Sequence, residues 1–386
     1  MNNFLLATQT GGIAFIVLLS VMTVVVFALA VWLLCLGIKK DNLELKLNPK
    51  YIFIILLVVG VAIRMAVAFT NNGLVGTLVG VFSSDRAGYT GMVTMIRSLI
   101  NNGMDGFYQS FDGVYYYPVT MYILTFFGSI SSLFWPVQIG SAATLVFVKL
   151  PFIISDILLA VVVYKIVKKF ANEVIALAIG GLVAVCPVFM LGAIWPTPYS
   201  FLALAFAAVV YFMLERKYIA LIIAYAISLL VCFEAIFLLP IVAVFAIYAY
   251  VKKIKAFKAA KRERKVASVR DAEFNFIIKL PVTVLICIIA SYLLILPFAL
   301  SGIGANPFVI LYHYYIKPFN NFGYFTYNGL SLYTIFAKNG VKLLLNFPIY
   351  VFSILFVVAI TAVVLIVYLS KKNRANLVVR QRFDCP

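Results

Sequence analysis

Apolar residues in this chain come in long runs separated by short basic clusters, with little strict alternation. The runs are roughly 20 residues long, the length a helix needs to cross about 30 Å of hydrocarbon. They predict helices over 12–38, 51–70, 146–167, 173–193 and 199–214, two helices within 218–251 that turn near Glu234–Pro240, and helices over 276–300 and 342–370. The expected fold is all-α and polytopic, roughly nine spans in a single transmembrane domain over 1–386, with no water-soluble domain.

Charge orients these spans. Lys39, Lys40, Lys46 and Lys50 follow the first run. Lys165, Lys168 and Lys169 close the run over 146–167, and Arg216 and Lys217 close that over 199–214. Lys252 to Arg270 and Lys371 to Arg382 form the longest basic stretches. Basic residues concentrate in cytoplasmic loops. The N-terminus is therefore expected outside and the C-terminus inside, with 252–275 a basic, partly helical cytoplasmic loop and 71–145 and 301–341 two long outer loops. All Lys and Arg fall on the cytoplasmic side of this scheme except Arg64, Arg86, Arg97, Lys149, Lys317, Lys338 and Lys342. The stretch 118–134 is apolar enough to span, but spanning would turn KIVKKF and every later basic loop outward. It is read as interfacial or re-entrant. The first residues lack a basic leader and the first run is too long for a signal peptide, so it reads as a retained helix.

Composition agrees and narrows the function. At 65% hydrophobic and 11% charged residues, the chain is unlike a water-soluble domain. A formal charge of +18 raises nucleic acid as a partner, but the basic clusters flank apolar spans, which points to membrane lipids and excludes nucleic acid. Cys35, Cys186, Cys232, Cys287 and Cys385 have no metal-ligand spacing. No DxD pair, Walker loop, GxSxG or HExxH is present, which argues against nucleotide-sugar, ATPase and hydrolase chemistry. No metal and no cofactor are expected.

Outer loop 1 carries the first candidate. Asp85 lies in Ser83-Ser84-Asp85-Arg86-Ala87-Gly88-Tyr89, ahead of an amphipathic stretch in which Met92, Met95, Ile96 and Leu99 recur at helical spacing. That stretch is expected to lie flat on the outer surface. A carboxylate at a membrane boundary can act as a general base; equally, Ser84-Asp85 can cap the helix that follows. Arg64, about two turns inside the outer end of its span, reads either as functional or as snorkelling outward. Lys149 and Asp156 share a helix face two turns apart, too far to touch directly, and Asp156 reads mainly as structural. Glu234 is the strongest intramembrane acid, and His313, within Tyr312-His313-Tyr314-Tyr315, is the one histidine.

The order of these features resembles the GT-C glycosyltransferases. The resemblance runs over roughly residues 51–340: a late Arg on an outgoing helix, Asp85, a flat helix ending in Asn-Gly, then YYYPVTMYIL over 115–124. It continues with Trp195, Ser200 and Pro240 in register and with YFTYNGLSLYTIF in outer loop 2. The resemblance implies an inverting, metal-independent transfer of a sugar from a polyprenyl-phosphate carrier to a glycan, lipid or protein acceptor, at the outer face of the plasma membrane. It implies Asp85 as catalytic base. Donor phosphate and substrate would meet Arg64, Arg86, Lys149, Glu234, His313 and Lys317. Tyr89, Tyr117, Trp195, Tyr199 and Tyr327 would contact sugar or lipid, although interface anchoring explains such aromatics equally well. The chain departs from the family pattern at Thr197 and Tyr199, where relatives carry Gln and Asp, and at Phe233-Glu234, where they often carry Lys. A GT-C-like pseudoenzyme or assembly subunit, a lipid or polysaccharide transporter and an unrelated polymerase are the alternatives.

Overall fold

The computed structural model describes the backbone over residues 49–70, 84–105, 117–137, 142–185, 199–262, 267–299 and 306–312, with isolated positions elsewhere. The predicted span 12–38 is represented only by scattered helical positions from Val21 to Cys35. Helices dominate the described residues: α1 Pro49–Thr70, α2 Ser84–Asn102, α3 Pro118–Phe134, α4 Ala142–Val167, α5 Glu173–Val185, α6 Tyr199–Leu214 and α7 Tyr218–Val231. A 3-10 turn over Phe233–Leu238 leads into α8, Leu239–Arg262, and then come α9 Ala267–Ile295, a 3-10 turn Leu296–Phe298, and the short α10 Pro307–Leu311. The segments Val146–Val167, Ala235–Arg262 and Phe274–Phe298 are long and apolar enough to cross a membrane, the mark of a membrane protein; α3, α5, α6 and α7 are shorter apolar helices.

At the start of the predicted span 342–370 the structure departs from the expectation. Leu343 and Leu344 pair antiparallel with Pro348 and Phe347, and helix is seen only further on, at Leu355 and Ala359. Pro348 suits this pairing, because it restricts the residue before it, Phe347, to extended backbone.

The chain divides into two compact units, Met1–Phe233 with Ile278–Tyr315, and Glu234–Ile277 with Ile316–Pro386. In the first, α4 is central and packs against α1, α3, α5 and α6. One end of this bundle is fixed by short polar turns. Lys168 Nζ and Tyr164 Oη both donate to Glu173 Oε1, at 2.7 and 2.9 Å, which closes the α4–α5 turn. Asn172 caps α5 by accepting from the Ile175 amide at 2.9 Å. Lys169 pairs with Glu215, which also meets Lys217 at 3.3 Å, so the α6–α7 turn sits beside the α4–α5 turn. Arg216 takes φ 55° to make that turn.

Phe53 stacks on Tyr164 with centroids 4.4 Å apart, so α1 begins where α4 ends. Lys50, Lys168, Lys169 and Lys217 therefore share one end of the bundle, and the connection from α1 to α4 starts and finishes at the other. The 17-residue α3 enters from that opposite end, where Thr120 Oγ1 donates to the Val231 carbonyl at the close of α7, 3.3 Å away.

The α2 helix is covered by protein. Val93, Ile96 and Leu99 are buried, and Ile96 meets Gly128 of α3 so closely that a side chain at 128 would collide with it. The apolar face expected to rest on lipid meets α3.

Candidate functional site

The most unusual chemistry in the first unit lies on α1 and α4. Arg64, Lys149 and Asp156 are each only 1% exposed, the charged side chains buried among the described residues. Arg64 Nε stands 3.5 Å from Asp156 Oδ2. Its Nη1 donates to the Gly60 carbonyl at 3.2 Å and to the Ala184 carbonyl of α5. The Ser200 hydroxyl faces the Asp156 carboxylate from the start of α6, while Ser155 Oγ donates to the Ser200 carbonyl at 3.0 Å. Arg64 thereby joins α1, α4 and α5, and the Ser155 hydroxyl ties α4 to α6 beside it.

Local sequence explains the geometry. A β-carbon on Gly60 would sit 2.7 Å from the Ala184 oxygen, so only glycine lets α1 and α5 approach closely enough for Arg64 to reach that carbonyl. Phe152 stacks on Phe201 at 4.7 Å and seals α4 against α6 beside the pair. Ile63, Ala160, Ala184 and Val185 cluster around it, with Leu56, Leu57, Val59 and Val183 packed against them.

Depth follows from counting turns. Gly60, Asp156 and Ala184 each lie eleven residues from the basic end of their helix, at Pro49, Val167 and Glu173 respectively. At 1.5 Å per residue that is about 16 Å, half of a ~30 Å hydrocarbon layer. Arg64 does not snorkel outward: it turns back toward the middle of the bundle. Lys149 lies a further two turns along α4 toward the opposite end, with Pro151 between it and Asp156.

The opposite end of the unit has its own network, made of aromatics. Tyr122 Oη donates to the Leu294 carbonyl at 2.9 Å and its ring packs edge-on against Phe298 at 5.2 Å. Phe107 meets Phe298 at 6.3 Å, and Tyr314 Oη donates to the Phe298 carbonyl at 2.8 Å. Phe107 belongs to the first predicted outer loop and Tyr314 to the second. The structure thus brings the two loops together over the end of α9.

The predicted site residues are distributed as follows. Asp85, Arg86 and Tyr89 fall in the first two turns of α2, a position that also suits helix capping, and their side chains lie outside the described residues. Tyr117 is the buried N-cap residue of α3, and Pro118 follows at the first helical position. Tyr199 opens α6 and is 53% exposed. Glu234 stands in the 3-10 turn, its side chain outside the described residues, as are Trp195, His313, Lys317 and Tyr327 altogether. Arg64 is joined to the Asp156 carboxylate. Among the described residues no three His, Cys, Asp or Glu side chains come together as metal ligands would. Sequence reasoning missed Gly60 and the Phe298 cluster; a glycine four residues before a buried arginine was the available signal for the former.

No protein-family model matches the chain, and no curated protein or solved structure is significantly similar to it.

Proposed function

We propose that this protein is a membrane glycosyltransferase of GT-C type, crossing the plasma membrane about nine times. Its basic loops face the cytoplasm and it transfers a sugar from a polyprenyl phosphate at the outer face. Asp85 takes the proton of the acceptor hydroxyl. The acceptor oxygen attacks the anomeric carbon, the bond from that carbon to the phosphate oxygen breaks, and the polyprenyl phosphate leaves with inversion. The leaving group needs cations and no second acid. Arg86, Lys149 and Lys317 supply them, since a lysine acts on phosphate as a point charge and an arginine can bind it bidentately. Arg64, engaged by Asp156 and two carbonyls, supports this site from below. Glu234, His313 and the aromatics Tyr89, Trp195, Tyr199 and Tyr327 contact sugar and lipid.

The observation that carries this reading is the meeting of the two predicted outer loops at Phe298, opposite the basic turns, because the motif order distributes the site over those two loops. The test is transfer from a synthetic polyprenyl-phosphate sugar by purified protein. Asp85→Asn is expected to abolish product while expression and membrane insertion persist; an Asp85→Asn protein with full activity defeats the base assignment.

A second reading, transport of a lipid-linked or polysaccharide cargo, draws on the ion pair buried at half the bundle depth, since intramembrane charges often line transport paths. Passage of labelled cargo across proteoliposomes, unchanged by Asp85→Asn, would favour it.

A further inference from the structure

The cations at the helix ends differ in how they are neutralised. Lys168, Lys169 and Lys217 each lie against a carboxylate, Glu173 or Glu215. The end of α8 shows no such arrangement among the described residues. From Leu239 to Arg262 the helix contains no acid, yet its last three turns hold Lys252, Lys253, Lys255, Lys258, Lys261 and Arg262. Among the described residues no carboxylate forms an ion pair with Lys252, Lys255, Lys258 or Arg262. These four recur at three- and four-residue spacing and all are exposed, so they form one stripe. The other face is occupied: Phe257 stacks on Phe274 of α9 at 5.6 Å, and Lys253 Nζ stands 5.8 Å over the Phe276 ring. Like charges at this spacing oppose helix formation. Packing against α9 holds the helix, and the exposed basic stripe remains on its outer face.

Where the stripe begins selects its partner. The helix carries exposed apolar side chains up to Val251, which sets the hydrocarbon boundary beside Lys252. Lys255 and Lys258 then stand about 4.5 and 9 Å further out, against a headgroup layer of about 5–7 Å. Lysine stems can bend back over such a distance. The nearest polyanion to these three residues is the membrane surface itself. We propose that the Lys252–Lys255–Lys258 stripe of α8 binds the phosphates of anionic phospholipids.

An anionic surface attracts each nearby lysine with about fivefold in affinity, so three give roughly a hundredfold. The full-length protein in a nonionic detergent would be titrated with short-chain phosphatidylglycerol and, separately, phosphatidylcholine, and bound lipid counted by native mass spectrometry. The wild type is expected to prefer phosphatidylglycerol, less so as salt is raised. The triple variant Lys252→Gln/Lys255→Gln/Lys258→Gln should lose that preference, and the corresponding triple lysine-to-arginine variant should keep it. Equal binding of the two lipids by wild type, or an undiminished preference in the glutamine variant, overturns the proposal. So does selective binding of polyuridylate without selectivity among lipids, which would assign the stripe to a soluble polyanion.

Discussion

Replacing Asp156 with Asn removes one charge from the middle of the bundle and leaves its shape almost unchanged. Arg64, 1% exposed, would keep its bonds to the Gly60 and Ala184 carbonyls but lose the carboxylate 3.5 Å from its Nε. A buried charge stripped of its partner costs about 3–5 kcal/mol. Replacing both members with uncharged side chains, as in Arg64→Met/Asp156→Asn, removes that uncompensated charge. It also deprives the Ala184 carbonyl of a charged donor, a loss of about 1–3 kcal/mol. The double variant should therefore be no less stable than Asp156→Asn alone, despite carrying one more substitution. Unfolding of the purified proteins by titration with SDS, followed by circular dichroism, measures each value, and the cycle isolates the coupling. The reasoning fails if Asp156→Asn lies within about 0.5 kcal/mol of wild type. It fails equally if the double variant loses the sum of the two single losses.

Gly60→Ala would place a methyl 2.7 Å from the Ala184 oxygen and force α1 from α5. A loss of about 1–3 kcal/mol is expected in the same SDS titration, as for other overpacked interiors. Asp156→Asn should then cost less in the Gly60→Ala background, because part of the Arg64 anchorage is already gone. The turns at the basic end predict a pH dependence. The hydrogen bond from Lys169, with help from Lys217, holds the Glu215 carboxyl below its ordinary 4.5. That stabilisation is fully present above about pH 4.5 and fades as pH falls through the lowered value. The melting temperature of wild type should exceed that of Glu215→Gln at neutral pH and converge with it in acid; a gap that persists at about pH 3 contradicts the assignment. Lys168 runs the other way. Its bond to Glu173 raises its ammonium above 10.5, so its contribution is complete below that pH and is lost as pH climbs past the raised value. A Lys168→Gln variant should approach wild type only in strong alkali.

Hydrophobic length and basic punctuation were enough to find most of the described helices. Residues 199–214 were expected as a span and form α6 over the same residues. The predicted break near Pro240 corresponds to the 3-10 turn and the start of α8. Such features are legible because each depends on the composition of one continuous segment: enough apolar residues to avoid water, a proline to interrupt, lysines to stop. The clustering of Lys50, Lys168, Lys169 and Lys217 at one end was likewise anticipated, since every span reverses the chain and basic residues collect on one side.

Tertiary structure decided which polar residues meet. The sequence set Arg64 apart as a phosphate ligand and Asp156 as a structural group, and placed Asp156 beside Lys149 on its own helix. The pairing of Arg64 with Asp156 depends on the approach of α1 to α4 and on Gly60 letting α1 close against α5, distances over which sequence periodicity has no hold. The same holds for α2. Its apolar stripe was legible, but a stripe has the same pattern whether lipid or another helix covers it, and Gly128 on α3 decided for the helix. Periodicity reports that a face must be hidden from water; packing alone determines what hides it.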